Sequence, residues 1–439
     1  MTQISKSSSF LLPLLSSLAL ATGARAELTI SAPRAIPNAG GPVKVVAADI
    51  SRKGVPDLVV ANSTKNSISI HPALGGGKYG APVDYPAGVK PVDVVVHDVD
   101  NDGHPDLIVL DGSGAVSVLT GKPGGTFNAA KSYPVGDYPT FFDVTARGPK
   151  HITEIVTANT GSQSISYLRS DGAGGFEPSV TIEVGREPPK FVLADLNGDG
   201  MPEYVVPSTG DGTLTVISRD KTGKPLATKV YASGIRPSDI VTGDINGDGF
   251  ADIAVIDPAA SQMLVFLGNG DGTLQSAVHV AIGAGAQALL IGDLDGDRRA
   301  DLVVRLRSGD YQVFLGSDLA SGRIYRGGGP SSGRGARLSD FDGDGIADLV
   351  AVSADGSKFS VLSGARDGTF SAPQVVDTGS KPGNGWALHD LDGDGTLDLA
   401  IPNFDAGTIT LMFRAPSPPA AKPDGTAGSK PAVPQSPKP

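Results

Sequence analysis

Between residues 239 and 282 short apolar runs alternate with acidic and glycine-rich breaks. Asp239–Thr242 is a β-prone run, followed by the acidic stretch Asp244–Asp252. Ile253–Ile256 is a second run, Asp257–Gln262 a turn and Met263–Leu267 a third run. Gly268–Gly272 then makes a tight turn before the last run, Leu274–Ile282. Runs this short, bounded by Gly, Asp and Asn, predict four strands in one antiparallel meander.

The same layout recurs along the chain. An aspartate-rich nonapeptide starts at Asp98, Asp195, Asp244, Asp293, Asp340 and Asp390, with eroded copies at Asp49 (DISRKGVPD) and Asp143 (DVTARGPKH). Consecutive starts lie 49, 45, 52, 49, 49, 47 and 50 residues apart. One four-stranded sheet cannot cover both of its faces, whereas radial packing of repeated sheets can. The expected fold is therefore all-β: a β-propeller of about eight four-stranded blades, or seven if an eroded unit lies outside the ring. The last unit stops at its third run, Thr408–Phe413, while Thr29–Ile36 resembles a fourth-strand segment, Phe370–Val376. The N-terminal strand is expected to complete the last blade and close the ring.

The ends differ from this core. Lys6, the apolar stretch Phe10–Ala21 and Ala24-Arg25-Ala26 read as a signal peptide over 1–26, which places the mature protein outside the cell or in a periplasm. The apolar stretch is too short to span a membrane. Residues 415–439 are rich in Pro, Ala, Ser and Lys and read as a disordered tail, leaving 27–414 as the folded propeller.

Glycine (59) and proline (34) fit a turn-rich fold, and the absence of cysteine excludes disulfides and thiolate chemistry. A formal charge of −11 argues against nucleic acid as a partner.

Much of that charge sits in the nonapeptides. Carboxylates at positions 1, 3, 5 and 9 of a tight loop converge and repel one another, and a hard cation with oxygen ligands relieves the repulsion. Glycine at position 6 suits the sharp turn, and the varied position 7 suits a ligand that offers only its backbone carbonyl. The candidate calcium ligands are Asp98, Asp100, Asp102 and Asp106; Asp195, Asn197, Asp199 and Glu203; Asp244, Asn246, Asp248 and Asp252; Asp293, Asp295, Asp297 and Asp301; Asp340, Asp342, Asp344 and Asp348; and Asp390, Asp392, Asp394 and Asp398. These six loops hold 22 of the 47 acidic residues. An EF-hand needs a glutamate at position 12, where this chain has Val109, Val206, Val255, Val304, Ala351 or Ile401. Arg298 replaces the position-6 glycine in one copy and is expected to strain that turn or weaken its calcium. The Asp49 copy has Ser51 and Lys53 at positions 3 and 5, and the Asp143 copy has no acid at position 9, so both are expected to hold no ion.

The pattern D-x-[DN]-x-D-G-x-x-[DE] followed by an apolar triplet, with the downstream Gly-Asp-Gly-Thr-Leu/Phe turn, resembles the FG-GAP/VCBS repeats that also build integrin α-subunit propellers. The resemblance covers 27–414. It implies a calcium-binding propeller engaged in adhesion, glycan binding or polysaccharide cleavage.

Catalytic signatures are missing. The six histidines form no HExxH, no G-x-S-x-G occurs, and Gly268-x-Gly-x-Gly272 is a hairpin turn with no helix after it. Trp386 falls in the register of Val94, Phe191, Ile240, Leu289 and Ala336 and is expected in the core. His97 and His389, each before a loop's first Asp, are assigned packing roles. Ligand contacts are expected on the face opposite the acidic loops, from Tyr138, Arg186, Arg236, Arg334 and Arg337. The leading expectation is a secreted, monomeric module that binds an extracellular protein or polysaccharide through no catalytic residue. A secreted polysaccharide lyase or hydrolase is the alternative.

Overall fold

A computed structural model describes residues 28–147, 152–328, 335–353, 357–378 and 385–416. The expected signal peptide and the tail beyond 416 lie outside the described residues. All regular structure among the described residues is β. It forms eight four-stranded antiparallel sheets, together with two short two-stranded ribbons. The sheets are the blades of a propeller, and the seven-bladed alternative is excluded. Numbered along the chain, the blades have second strands at Asp57–Asn62, Asp106–Asp111, Ile152–Asn159, Glu203–Ser208, Asp252–Asp257, Asp301–Leu306, Asp348–Val352 and Asp398–Asn403.

Blade five shows why the sequence reads as it does. Its strands are Asp239–Gly243, Asp252–Asp257, Gln262–Phe266 and Val278–Ala281. Every residue of the second strand is buried, because both faces of the sheet are covered. Ile253 and Val255 pack on Val205, Leu214 and Val216 of blade four. Ala254 and Ile256 point the other way, onto Leu289, Leu302 and Val304 of blade six. A strand sandwiched in this way is continuously apolar rather than alternating, and each buried Val, Leu or Ile contributes about 1.5–3 kcal/mol. The fourth strand is mostly exposed and forms the outer edge, while first strands of neighbouring blades contact one another around the axis. That fourth strand is shorter than the expected Leu274–Ile282, since Leu274 joins only an isolated bridge to Gly268.

Closure follows the expected route. Arg34–Pro37 pairs antiparallel with Thr408–Met412, and Ile30 bridges Arg414. The first and last blades also meet at the axis, where Val45 N–H donates to Gly385 O (2.8 Å).

Candidate functional site

The acidic loops link first to second strands and share one backbone frame. The position-1 carboxylate accepts the position-6 N–H in all six intact copies, from Gly103 to Asp98 (2.9 Å) through Gly395 to Asp390 (2.9 Å). The position-5 carboxylate accepts the position-7 N–H, as from His104 to Asp102 (2.7 Å) and from Thr396 to Asp394 (2.8 Å). Blade one forms part of this frame without acids at positions 3 and 5: Asp49 accepts Lys53 N–H and Gly54 N–H, both at 2.8 Å. The local hydrogen bonds therefore suffice to shape the loop.

Position 9 has a second role that the sequence pattern does not announce. Asp106 accepts Val99 N–H (2.7 Å) with one oxygen and Gly121 N–H (2.6 Å) with the other. Asp252, Asp301, Asp348 and Asp398 do the same, each tying its loop to the end of its third strand. Asp57 clasps Ser51 N–H (2.8 Å) and Ala73 N–H (2.7 Å) in blade one. These carboxylates are structural clasps whatever else they bind.

Blade three corrects the sequence register. Asp143 lies inside the first strand, Pro139–Arg147, opposite Val156. The residue opposite Glu154 is Thr145, as His97 is opposite Asp106 in blade two. Blade three thus has its position-9 acid after all: it is Glu154, nine residues beyond its partner, as Asp106 is beyond His97. On this ruler the eight buried acids are Asp57, Asp106, Glu154, Glu203, Asp252, Asp301, Asp348 and Asp398, spaced by 47 to 50 residues. Glu154 accepts from Tyr167 Oη (3.0 Å) and pairs with the fully buried Arg219 of blade four, whose guanidinium lies 4.5 Å from the Tyr204 ring centre.

In four loops three carboxylates converge, with ligand oxygens within 4.8 Å of one another: Asp98, Asp100 and Asp106; Asp293, Asp295 and Asp297; Asp340, Asp342 and Asp344; Asp390, Asp392 and Asp398. Asp102, Asp301, Asp348 and Asp394 stay in the same loops outside these triplets. The remaining two loops carry an amide at position 3. Asn197 Nδ2 donates to Glu203 Oε1 (3.0 Å) and Asn246 Nδ2 to Asp248 Oδ2 (2.8 Å), while Asp195, Asp199, Asp244 and Asp252 hold their places in the backbone frame.

The clustering shows in the titration behaviour. Burial, and then the charges of Asp100 and Asp98, push Asp106 up to about 6, against the pull of its two backbone donors. Asp398 is pushed up to about 7 by burial, with Asp392 and Asp394 adding to it. Asp100 and Asp392 are raised as well, by burial and by neighbouring loop acids. An all-oxygen donor set under mutual repulsion fits a hard divalent cation. The loops also lie at the seams between blades. A Cβ added at Gly174 would sit 3.0 Å from Asp100 Oδ2, and one at Gly77 3.3 Å from Asp392 Cβ, so the next blade's turn flanks each loop.

Comparison with known proteins agrees with this repeat. The model of the FG-GAP-like repeat matches residues 49–109, 98–147, 195–255, 244–304 and 340–401, more than half of the chain. The chain belongs to the FG-GAP-like repeat family. No curated protein sequence matches it. Among solved structures it is similar to Sqt1 of Saccharomyces cerevisiae, at TM-score 0.63 and 13% identity over 88% of this chain and 100% of that one. It is also similar to the computationally designed Ika8 protein, at TM-score 0.54 and 14% identity over 86% and 97% of the two chains. At such identities the likeness shows the fold alone.

In this FG-GAP-like propeller the expected rim residues do not form one patch. Tyr138 is exposed with a positive φ of 49°, and Arg186 is tied to Asp211 (2.6 Å). Arg236 is exposed, Arg334 lies outside the described residues, and Arg337 turns inward to the axis. Trp386 is buried, edge-on to Phe359. His97 is half-buried, but His389 is exposed with Nδ1 3.1 Å from Asp390 O, so a packing role does not fit it. Sequence reasoning named Arg337 but missed Glu154, Arg219 and the other charged residues around the axial mouth, Lys44, Asp93, Lys190 and Asp239; counting strand register from the buried acids is the signal that finds the first.

Proposed function

We propose that this FG-GAP-like propeller is an exported, monomeric recognition or adhesion module for an extracellular protein or polysaccharide, stabilised by calcium at its six intact acidic loops. The observation that carries the reading is the convergence of three carboxylates in each of four loops, all at the ends of first strands. The loops take the ions on one face and leave the opposite mouth for a partner. Asp98, Asp100, Asp106, Asp390, Asp392 and Asp398 are the best-gathered ligands, and the leader-like residues 1–26 support export.

The test is retention of the purified chain on a panel of polysaccharides and matrix proteins, with calcium and then with chelator, while the polymers are checked for new chain ends. Calcium-dependent retention without new ends is expected. New ends would replace the reading with a lyase or hydrolase, and retention indifferent to chelator would remove calcium from it.

A further inference from the structure

On the face opposite the acidic loops, a cavity of about 360 Å³ opens on the axis and is lined by residues from all eight blades. Its wall is polar and charged, with Lys44, Asp93, Lys190, Asp239, Gln287 and Arg337 among the lining residues. Two of the three cations are already matched: Lys44 Nζ lies 3.0 Å from Asp93 Oδ1, and Lys190 pairs with Asp239. Asp239 is further engaged by the backbone N–H groups of Ile240 (3.0 Å) and Leu289 (2.8 Å).

Arg337 is the surplus charge. No carboxylate among the described residues lies within ion-pair distance of it. Its guanidinium sits 4.4 Å from the Trp386 ring centre, and Nη2 donates to Trp386 O (2.7 Å). The side chain is open to the lumen yet surrounded by the ring of blades, and this enclosure lowers its pKa, with Asp93 acting the other way. A planar fork of five N–H donors, held by stacking on an aromatic face and only partly used, is pre-organised for a carboxylate.

We infer that the axial cavity binds one hydroxyl-rich carboxylate of single-sugar size, a uronic acid unit, with Arg337 taking the carboxylate. Lys44, Asp93, Lys190 and Gln287 supply donors and acceptors for the hydroxyls. Trp386 lies beneath Arg337 and positions it, rather than stacking on the sugar. This assignment deepens the recognition reading, on which it rests for its ligand class.

The test is calorimetric titration of the full chain, in calcium buffer, with glucuronate, glucose and inorganic phosphate. Glucuronate is expected to bind saturably and about ten-fold or more tighter than glucose, as a charge-assisted fork implies. Arg337→Gln should lose that advantage, and Lys122→Gln, at an exposed lysine outside the cavity, should keep it. If Arg337→Gln unfolds, judged by far-ultraviolet circular dichroism, Arg337→Lys decides. It keeps the charge but not the fork and should weaken glucuronate about three-fold or more. Equal binding of glucose, equal binding of phosphate, or full binding by the folded Arg337 variant overturns the assignment. Polymer retention without glucuronate binding would sink this inference alone. Arg337-dependent glucuronate binding without retention on any polymer or protein would sink the adhesion reading and leave this one standing.

Discussion

Blades two and three carry a buried acid at the same register position of their second strands and neutralise it differently. Glu154 of blade three meets Arg219, a cation supplied by the next blade, together with Tyr167 Oη. Asp106 of blade two has two backbone N–H donors, and its nearest charges are the acids Asp98 and Asp100. Blade one, the other copy without acids at positions 3 and 5, keeps the same two backbone donors on Asp57 as blade two and carries a polar network at the far end of that strand. There His71 Nε2 meets Asn38 Oδ1 (2.8 Å), Asn38 Nδ2 donates to Asn62 Oδ1 (2.7 Å), and Asn62 Nδ2 to Ser69 Oγ (2.6 Å). The buried acid is thus part of the blade's architecture, and the loop acids are an addition to it. In blade three, where they are lost, the next blade's Arg219 supplies the counter-charge.

The contrast breaks first at the metal. Six calcium ions at extracellular-type affinities would each contribute about 0.4–1.4 kcal/mol, or about 2–8 kcal/mol together. Chelator should therefore lower the melting temperature sharply, and an unchanged melt would mean that the loops need no ion. Next in size is Glu154→Gln, which leaves Arg219 buried without its anion and should cost about 3–5 kcal/mol in urea unfolding. Calcium should not restore that loss. If it does, blade three depends on the metal sites, and the distinction between the two kinds of blade is lost.

The repeat length, the four runs per unit and the closing strand could all be read from residues, because a strand buried on both faces leaves an uninterrupted apolar run such as Ile253–Ile256. The loop frame was equally legible, since its aspartates act on neighbours in sequence. Glu154 was hidden because its repeat has lost the leading acid: by strand register position 1 is Ala146, and the pattern match fell three residues early, on Asp143. The axial mouth was hidden for a different reason. Lys44, Asp93, Lys190 and Arg337 are brought together only by closure of the ring, and no spacing within one unit encodes it.

A smaller effect probes blade one. Burial holds His71 at about 4, below its ordinary 6.5, against the opposing influence of Gly80 and Asp84. The unfolded chain therefore takes up this proton first. Stability is complete above pH 6.5 and falls as pH drops towards 4, by about 2 kcal/mol between pH 7 and pH 5. Urea unfolding of wild type and His71→Gln at both pH values, in excess calcium, isolates the contribution; equal pH slopes would show that His71 does not carry it.

The smallest effect asks whether blade six belongs with blade two or with blade three. Arg298 holds φ at 73° where the five other intact loops have glycine at 78–88°. The left-handed conformation costs a non-glycine residue about 1–2 kcal/mol. Replacing it by glycine returns that strain, less about 0.5–1 kcal/mol for the freer unfolded chain. Arg298→Gly should therefore stabilise by about 0.5–1 kcal/mol in chelator. The same gain in calcium would mean that the arginine acts only through its backbone, and that the Asp293 loop binds its ion as the others do. A larger gain in calcium would mean that the Arg298 charge opposes the ion, making blade six an intermediate on the way from a metal-braced blade to one braced by a side-chain cation.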